Sequence, residues 1–152
     1  MCRNLQIDAL QRMQIGDTVS TIGSKMAQRV LVADDDQALQ VLLNVLLSRA
    51  GFDVEFARNG NEALTKMTGN GNGSPPYAVV MLDLILPQLS GIEILERLRR
   101  DNPEVLQRVI VLTSASRGII DQVDTSHIHA LVRKPFDIQD VLRVTTACAL
   151  QS

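Results

Sequence analysis

The 152-residue sequence predicts an α/β domain: a five-stranded parallel sheet, doubly wound, with helices on both faces. Three observations carry that prediction. Short apolar runs alternate with amphipathic segments across residues 29–150. The central runs are apolar throughout instead of every second residue, as strands buried on both faces are. Three of them carry a polar residue at or just past their end: Asp34, Asp83 and Thr113. Strands separated by helices of this length pair in parallel through right-handed crossovers.

Each element has its own signal. Arg29–Ala33 is the first strand, stopped by Asp34, Asp35 and Asp36. Leu39, Leu42, Leu43, Leu46, Leu47 and Ala50 then form one helical stripe. Asp36 stands where a helix is capped, and Gly51 where one ends. Phe52–Ala57 reads as a strand, Asn59–Gly60 as a turn and Glu62–Met67 as a short helix. Residues 69–76, GNGNGSPP, are a loop. Tyr77–Leu84 is a second strongly apolar strand, carrying Asp83 near its end. Pro87 and Gly91 break the chain before a helix whose buried face holds Ile92, Leu95 and Leu98. Val109–Thr113 is the fourth strand. Residues 116–127 form a weak helix with Ile119, Ile120 and Val123, and Ala130–Val132 a short fifth strand. Asp137 caps a last helix with Ile138, Val141, Leu142 and Thr145 on one face.

Composition narrows the function. Hydrophobic residues make up 45% and charged ones 21%, with a net charge of −2, so the chain folds around a core. No apolar run approaches the roughly 20 residues of a membrane span. With no Trp, one Tyr, three Phe and an acidic balance, the chain offers neither a basic stripe nor a stacking platform for nucleic acid. Cys2 and Cys148, at opposite ends, form no disulfide framework, and a cytoplasmic location is expected. Residues 1–28 stand apart. Leu5, Leu10 and Met13 fall at loose helical spacing before a stretch rich in Gly, Ser and Thr. They are a flexible extension, a short helix with a linker or a tail, and a chain starting at Met26 is expected to fold unaided.

The polar residues at the strand ends share one side of the sheet. With strand order 2-1-3-4-5, the crevice where that order reverses lies between the first and third strands. Asp34, Asp35 and Asp83 converge there, with Thr113 and Lys134 from the neighbouring strands. Three carboxylates at one place raise one another's pKa unless cations answer them. Lys134 supplies one positive charge, and a Mg²⁺ ion suits the remaining oxygens. So neutralised, a carboxylate can attack a phosphoryl group, with Thr113 and Lys134 as phosphate contacts. Taken singly, each residue has a plainer reading: Asp36 as a cap, Thr113 as a β-branched strand residue, Lys134 as a surface lysine. Their conjunction at four strand ends gives the chemistry its weight.

These segments resemble the receiver domain of two-component response regulators. VLVADDD at 30–36 resembles its first strand and acidic pair, and VVMLDLILPQLSG at 79–91 its phosphoacceptor segment. VIVLTSAS at 109–116 and RKPF at 133–136 resemble its threonine and lysine–proline segments. The resemblance covers residues 29–150. It implies a flavodoxin-like fold and phosphorylation of Asp83. Asp35, Asp83 and the Ile85 carbonyl would bind Mg²⁺, and Asp34 would act through water. Thr113 and Lys134 would contact the phosphate. The implied phosphodonor is a histidine kinase or a phosphotransfer protein. Three departures stand out: the lengthened loop at 69–76, DTSHIHA at 124–130, and Leu131 where the family commonly has an aromatic residue.

The expected protein is a stand-alone receiver, not a classified enzyme, that signals through protein contacts as a monomer or weak dimer. A phosphorylation-independent binding module is the alternative. An aspartate phosphohydrolase is disfavoured because Ile85 stands where that class commonly carries a second acid.

Overall fold

The computed structural model describes residues 27–69 and 77–151. In chain order they form β1 (Arg29–Ala33), α1 (Gln37–Arg49), β2 (Asp53–Ala57), α2 (Gly60–Thr68), β3 (Val79–Leu82) and α3 (Gly91–Asp101). A 3₁₀ helix (Pro103–Arg108), β4 (Val109–Thr113), α4 (Arg117–Asp121), β5 (Ala130–Arg133) and α5 (Ile138–Leu150) follow. The five strands pair in parallel in the order β2-β1-β3-β4-β5, as expected. The expected extension at 1–28 lies outside the described residues except for Ala27 and Gln28, and so does the long loop beyond Gly69.

Side chains along a strand alternate between the two faces of the sheet, so the continuous apolar runs feed two cores. On one face Leu31, Val80, Leu82 and Val111 pack with Met67 of α2, Ile94, Leu95 and Leu98 of α3 and Leu106 of the 3₁₀ helix. On the other, Val30, Val32, Val79, Met81, Ile110 and Leu112 meet Leu43 and Leu47 of α1 and Val141 and Cys148 of α5. Burying each Leu or Ile side chain contributes about 1.5–3 kcal/mol.

The caps fix where helices start. The Asp36 carboxylate accepts from the Ala38 and Leu39 amides at 3.0 and 3.2 Å. Ala50 ends α1, and Gly51 follows with φ 97°, a conformation that costs a glycine little. Ser90 and Glu93 form a reciprocal capping box at the head of α3.

Several boundaries differ from expectation. The helix expected at Glu62–Met67 starts two residues earlier, because Asn59 caps it by accepting from the Glu62 amide at 2.8 Å. The strand expected at Tyr77–Leu84 is confined to Val79–Leu82, since β1 offers partners only from Val30 to Ala33. The weak helix at 116–127 shrinks to Arg117–Asp121. It contains Gly118, and past Gln122 the chain turns through His127 at φ 73°, which a helix excludes. On α3, Ile94 takes the buried place given to Ile92, which is half-buried. The α1 stripe is only partly covered: Leu43 and Leu47 are buried, while Leu42 is 40% exposed. On α5, Ile138 faces solvent, and Val141, Thr145, Cys148 and Ala149 fill the buried face. The 3₁₀ helix, opened by Pro103, went unread in the sequence.

Two glycines set the spacing of loops against strand ends. A Cβ on Gly91 would lie 2.2 Å from the Asp83 carbonyl oxygen, and one on Gly60 would lie 1.7 Å from the Leu89 carbonyl oxygen. Both obstacles are backbone, so neither clash is relieved by turning a side chain. Gly91→Ala is therefore expected to cost about 3 kcal/mol, at the upper end for overpacking. Urea unfolding of the variant should show this loss, whereas a loss under about 1 kcal/mol would mean that the loop gives way easily.

Candidate functional site

Each strand delivers its polar residue by continuing the ladder for one more bond. The Asp34 amide donates to the Ala57 carbonyl, the Asp83 amide to Ala33 and the Lys134 amide to Thr113, at 3.2, 3.0 and 2.9 Å. These bonds tie together the ends of β1, β2 and β3, and those of β4 and β5. Asp34 and Asp83 are buried, 2% and 5% exposed, and Thr113 is completely buried. Asp35 points to solvent at the rim.

Buried polar groups need partners, and here they find one another. The Lys134 ammonium donates to Asp34 Oδ2 at 2.6 Å and to Asp83 Oδ2 at 3.1 Å. The Thr113 hydroxyl donates to Asp83 Oδ1 at 3.0 Å and accepts from the Ala115 amide at 3.1 Å. The Ile85 amide also donates to Asp83 Oδ1, at 3.0 Å, and the Asp36 amide donates to Asp34 Oδ1 at 2.9 Å. Asp83 thus has a hydroxyl and an amide on one oxygen and an ammonium on the other.

Among the described residues, one group of three carboxylates is arranged to hold a metal. Asp34, Asp35 and Asp83 each offer an oxygen, all within 4.8 Å of one another. One ammonium answers these three carboxylates, which leaves the crevice short of positive charge. Hard, closely spaced oxygens with unbalanced negative charge fit Mg²⁺, which takes one or two carboxylates and leaves other positions open.

The ionisation pattern follows from this crowding. Burial pushes the Asp34 carboxyl above its ordinary range, and the Asp83 charge adds to it. The Lys134 and Asp36 hydrogen bonds oppose the rise without cancelling it. Burial pulls the Lys134 ammonium down, but its hydrogen bonds and charge interactions with Asp34 and Asp83 outweigh that and hold it above its ordinary value. The fold therefore favours protonated Lys134, a contribution kept through neutral pH and lost only as pH rises through that raised value. For Asp34 the sign is the same, at lower pH. Its raised pKa favours the neutral acid, so its contribution is present at low pH and turns into a cost as it ionises.

All the residues singled out in the sequence come to this crevice: Asp34, Asp35, Asp83, Ile85, Thr113 and Lys134. Ile85, 55% exposed, and buried Ala115 flank its rim. His127 and His129 lie in the turn and connection before β5, outside the carboxylate cluster. Two residues take positioning roles that sequence reading did not give them: Gln40 went unnamed, and Gly91 was read as a chain break. The Gln40 side chain donates to the Asp34 carbonyl at 2.5 Å, pinning the acidic loop to α1. Gly91 lets α3 approach the Asp83 backbone. A polar residue beside an apolar stripe was the available signal for Gln40; for Gly91 only its place after a proline hinted at a tight passage.

Removing the lysine should expose the imbalance. Lys134→Ala is expected to cost about 3 kcal/mol near neutral pH, because two buried carboxylates lose their counter-charge. The loss should shrink as the solution is acidified and the carboxylates take up protons. Urea unfolding at about pH 7 and about pH 4 measures this; an equal loss at both would contradict the charge argument.

Comparison with known proteins agrees with this geometry. Residues 30–146 match the family model of the response regulator receiver domain. The chain is 32% identical over 119 residues to the sporulation initiation phosphotransferase F of Bacillus subtilis, covering 76% of this chain and 89% of that protein. It is 33% identical over 125 residues to the B. subtilis transcriptional regulatory protein YkoG, covering 81% of this chain and 51% of that one. The chain spans about half the length of such regulators. Among solved structures, the receiver domain of a Francisella response regulator superposes with a TM-score of 0.69 at 28% identity, covering 82% of this chain and 98% of that one. The receiver domain of a sensor histidine kinase from Pseudomonas aeruginosa PAO1 shares the fold at 20% identity and a TM-score of 0.66, covering 81% of this chain and 98% of that one. Its structure holds a magnesium ion coordinated in the active-site cleft.

Proposed function

Since the chain belongs to the response regulator receiver-domain family of two-component systems, we propose that Asp83 accepts a phosphoryl group from a histidine kinase or a phosphotransfer protein. One observation carries this reading: both oxygens of a buried aspartate are held by the two donors that a bound phosphoryl group needs, beside two further carboxylates. A purely structural aspartate has no use for such company.

In the proposed reaction an Asp83 carboxylate oxygen attacks the phosphorus of a phosphohistidine. The new P–O bond makes an acyl phosphate, and the P–N bond breaks with its electron pair returning to the donor's imidazole. The reaction asks little covalent chemistry of the protein; positioning and charge stabilisation do most of the work. Lys134, already bound to Asp83 Oδ2, stays on the incoming phosphoryl group as a fixed cation. The Thr113 hydroxyl, now on Oδ1, is within reach of a phosphoryl oxygen after a small rotation. Asp34, Asp35 and Asp83, with the Ile85 carbonyl, would hold Mg²⁺. The ion would supply the positive charge that Lys134 alone does not.

On this reading the chain is an acceptor that catalyses its own phosphorylation and dephosphorylation, and a downstream protein reads its state. Leu131, half-buried against the core beneath α2 and α3, is without the ring through which many relatives relay the change. The five-residue α4, with exposed Ile119 and Gly118, is the segment freest to respond.

Intact mass after incubation with acetyl phosphate and Mg²⁺ tests the assignment. The wild-type chain should gain one phosphoryl group and Asp83→Asn none; undiminished labelling of the variant would sink the assignment, and no labelling of either would favour the binding module.

Lifetime is a second test. Hydrolysis needs a water in line with the phosphorus, and neither Ile85 nor Ala115 can orient one through its side chain. Ile85→Asn should shorten the acyl-phosphate half-life several-fold, followed by loss of the added mass over time. An unchanged or longer half-life would count against this account.

A further inference from the structure

The exposed apolar side chains are unevenly distributed. Among the described residues seven large hydrophobic side chains face solvent, and five of them lie on the α1/α5 layer. Val41, Leu42 and Val45 are 66, 40 and 45% exposed on α1, and Ile138 and Leu150 are 38 and 80% exposed on α5. Along the outer side of α5, Leu142, Ala147 and Leu150, with Gln139, Arg143 and Thr146, line an open groove of about 370 Å³. Isolated exposed apolar residues are ordinary, but a concentration on one layer marks an interaction surface.

The chain itself brings an occupant to this layer. Gln28 Nε2 donates to the Ala149 carbonyl at 3.0 Å, one residue from Leu150. The preceding segment therefore enters the domain beside the exposed end of α5. Its first fifteen residues, MCRNLQIDALQRMQI, carry Leu5, Ile7, Leu10, Met13 and Ile15 and end at Gly16. Apolar side chains in so short a segment gain by leaving water for an apolar surface. Residues 16–27 can span up to about 40 Å when extended, and α1 is only about 20 Å long, so every part of the layer is in reach.

From these observations we infer that residues 1–15 dock on the α1/α5 layer of their own domain, covering Val41, Leu42, Val45 and Leu150. The tether makes a segment of the same chain the favoured occupant. A short link holds it near the surface at roughly millimolar effective concentration, so a small apolar contact suffices. Five side chains fall far short of the roughly 20–30 residues a side that a stable interface between separate proteins uses.

Cys2 provides the probe. Cys148 is completely buried and its thiol is pushed up to about 11, so a nitroxide reagent at neutral pH selects Cys2 in the full-length chain. Paramagnetic broadening of methyl resonances should be several-fold stronger for Val41, Leu42, Val45 and Leu150 than for Leu64 and Val105 on the opposite layer. Leu10→Glu should abolish the difference, and Leu10→Met should keep it. A second sample mixes the labelled chain, free of NMR isotopes, with an isotope-enriched Cys2→Ser chain. It should show no such broadening. Equal broadening on both layers, none at all, or a difference that survives Leu10→Glu would overturn the inference. Broadening of the α1/α5 methyls in the mixed sample would overturn it too, by assigning the surface to a second copy.

Discussion

The Lys134 ammonium, reaching the carboxylates of both Asp34 and Asp83, is the contact on which the rest of the crevice depends. It joins residues 100 and 51 positions apart in the chain, and no local structure can bring them together. Only a parallel sheet with β1 and β3 adjacent and β5 at the edge beyond β4 lines up these ends. Fold and site are therefore one problem. The apolar strands supply the burial that holds the sheet, and the charges are affordable because they sit where strands stop and solvent begins. Deeper in the sheet, unpaired carboxylates would cost several kcal/mol each.

The same contact leaves the crevice unfinished. A lysine and a hydroxyl bring order to Asp83, but three carboxylates face one ammonium. A protein built only for stability would remove one acid or add a cation. On the proposed reading, keeping the imbalance creates a place that a divalent cation and a dianionic phosphoryl group would fill together, since each offsets the charge of the other. Asp34 shows the tension most plainly: its carboxyl lies above the ordinary range even with Lys134 at 2.6 Å. Perturbed ionisation of this kind clusters at functional sites.

Much of this was legible in the sequence, for identifiable reasons. Asp34, Asp83 and Thr113 close continuous apolar runs, and a polar residue there stands out against strands buried on both faces. Asp36 and Asp137 were readable as caps because capping is a local affair, and both cap as expected. The strand order was taken as a common doubly wound order, since spacing alone leaves several orders open. What escaped depends on tertiary approach. Gln40 works because α1 turns its amide back over the Asp34 carbonyl. Gly91 works because α3 passes within a Cβ radius of β3. The length of α4 was overestimated because its apolar spacing continues to Val123, while Gly118 and the left-handed turn at His127 stop the helix early.

The central claim is that an electrostatic deficit in the Asp34–Asp35–Asp83 cluster makes the site. Thermal unfolding of the full chain across a Mg²⁺ titration tests it most directly, because a ligand that binds only the folded state raises the midpoint with its concentration. The account predicts a midpoint that climbs with Mg²⁺ at neutral pH, a rise that Na⁺ at equal ionic strength does not reproduce and that fades as acid protonates the cluster. A midpoint indifferent to Mg²⁺ at neutral pH would contradict it.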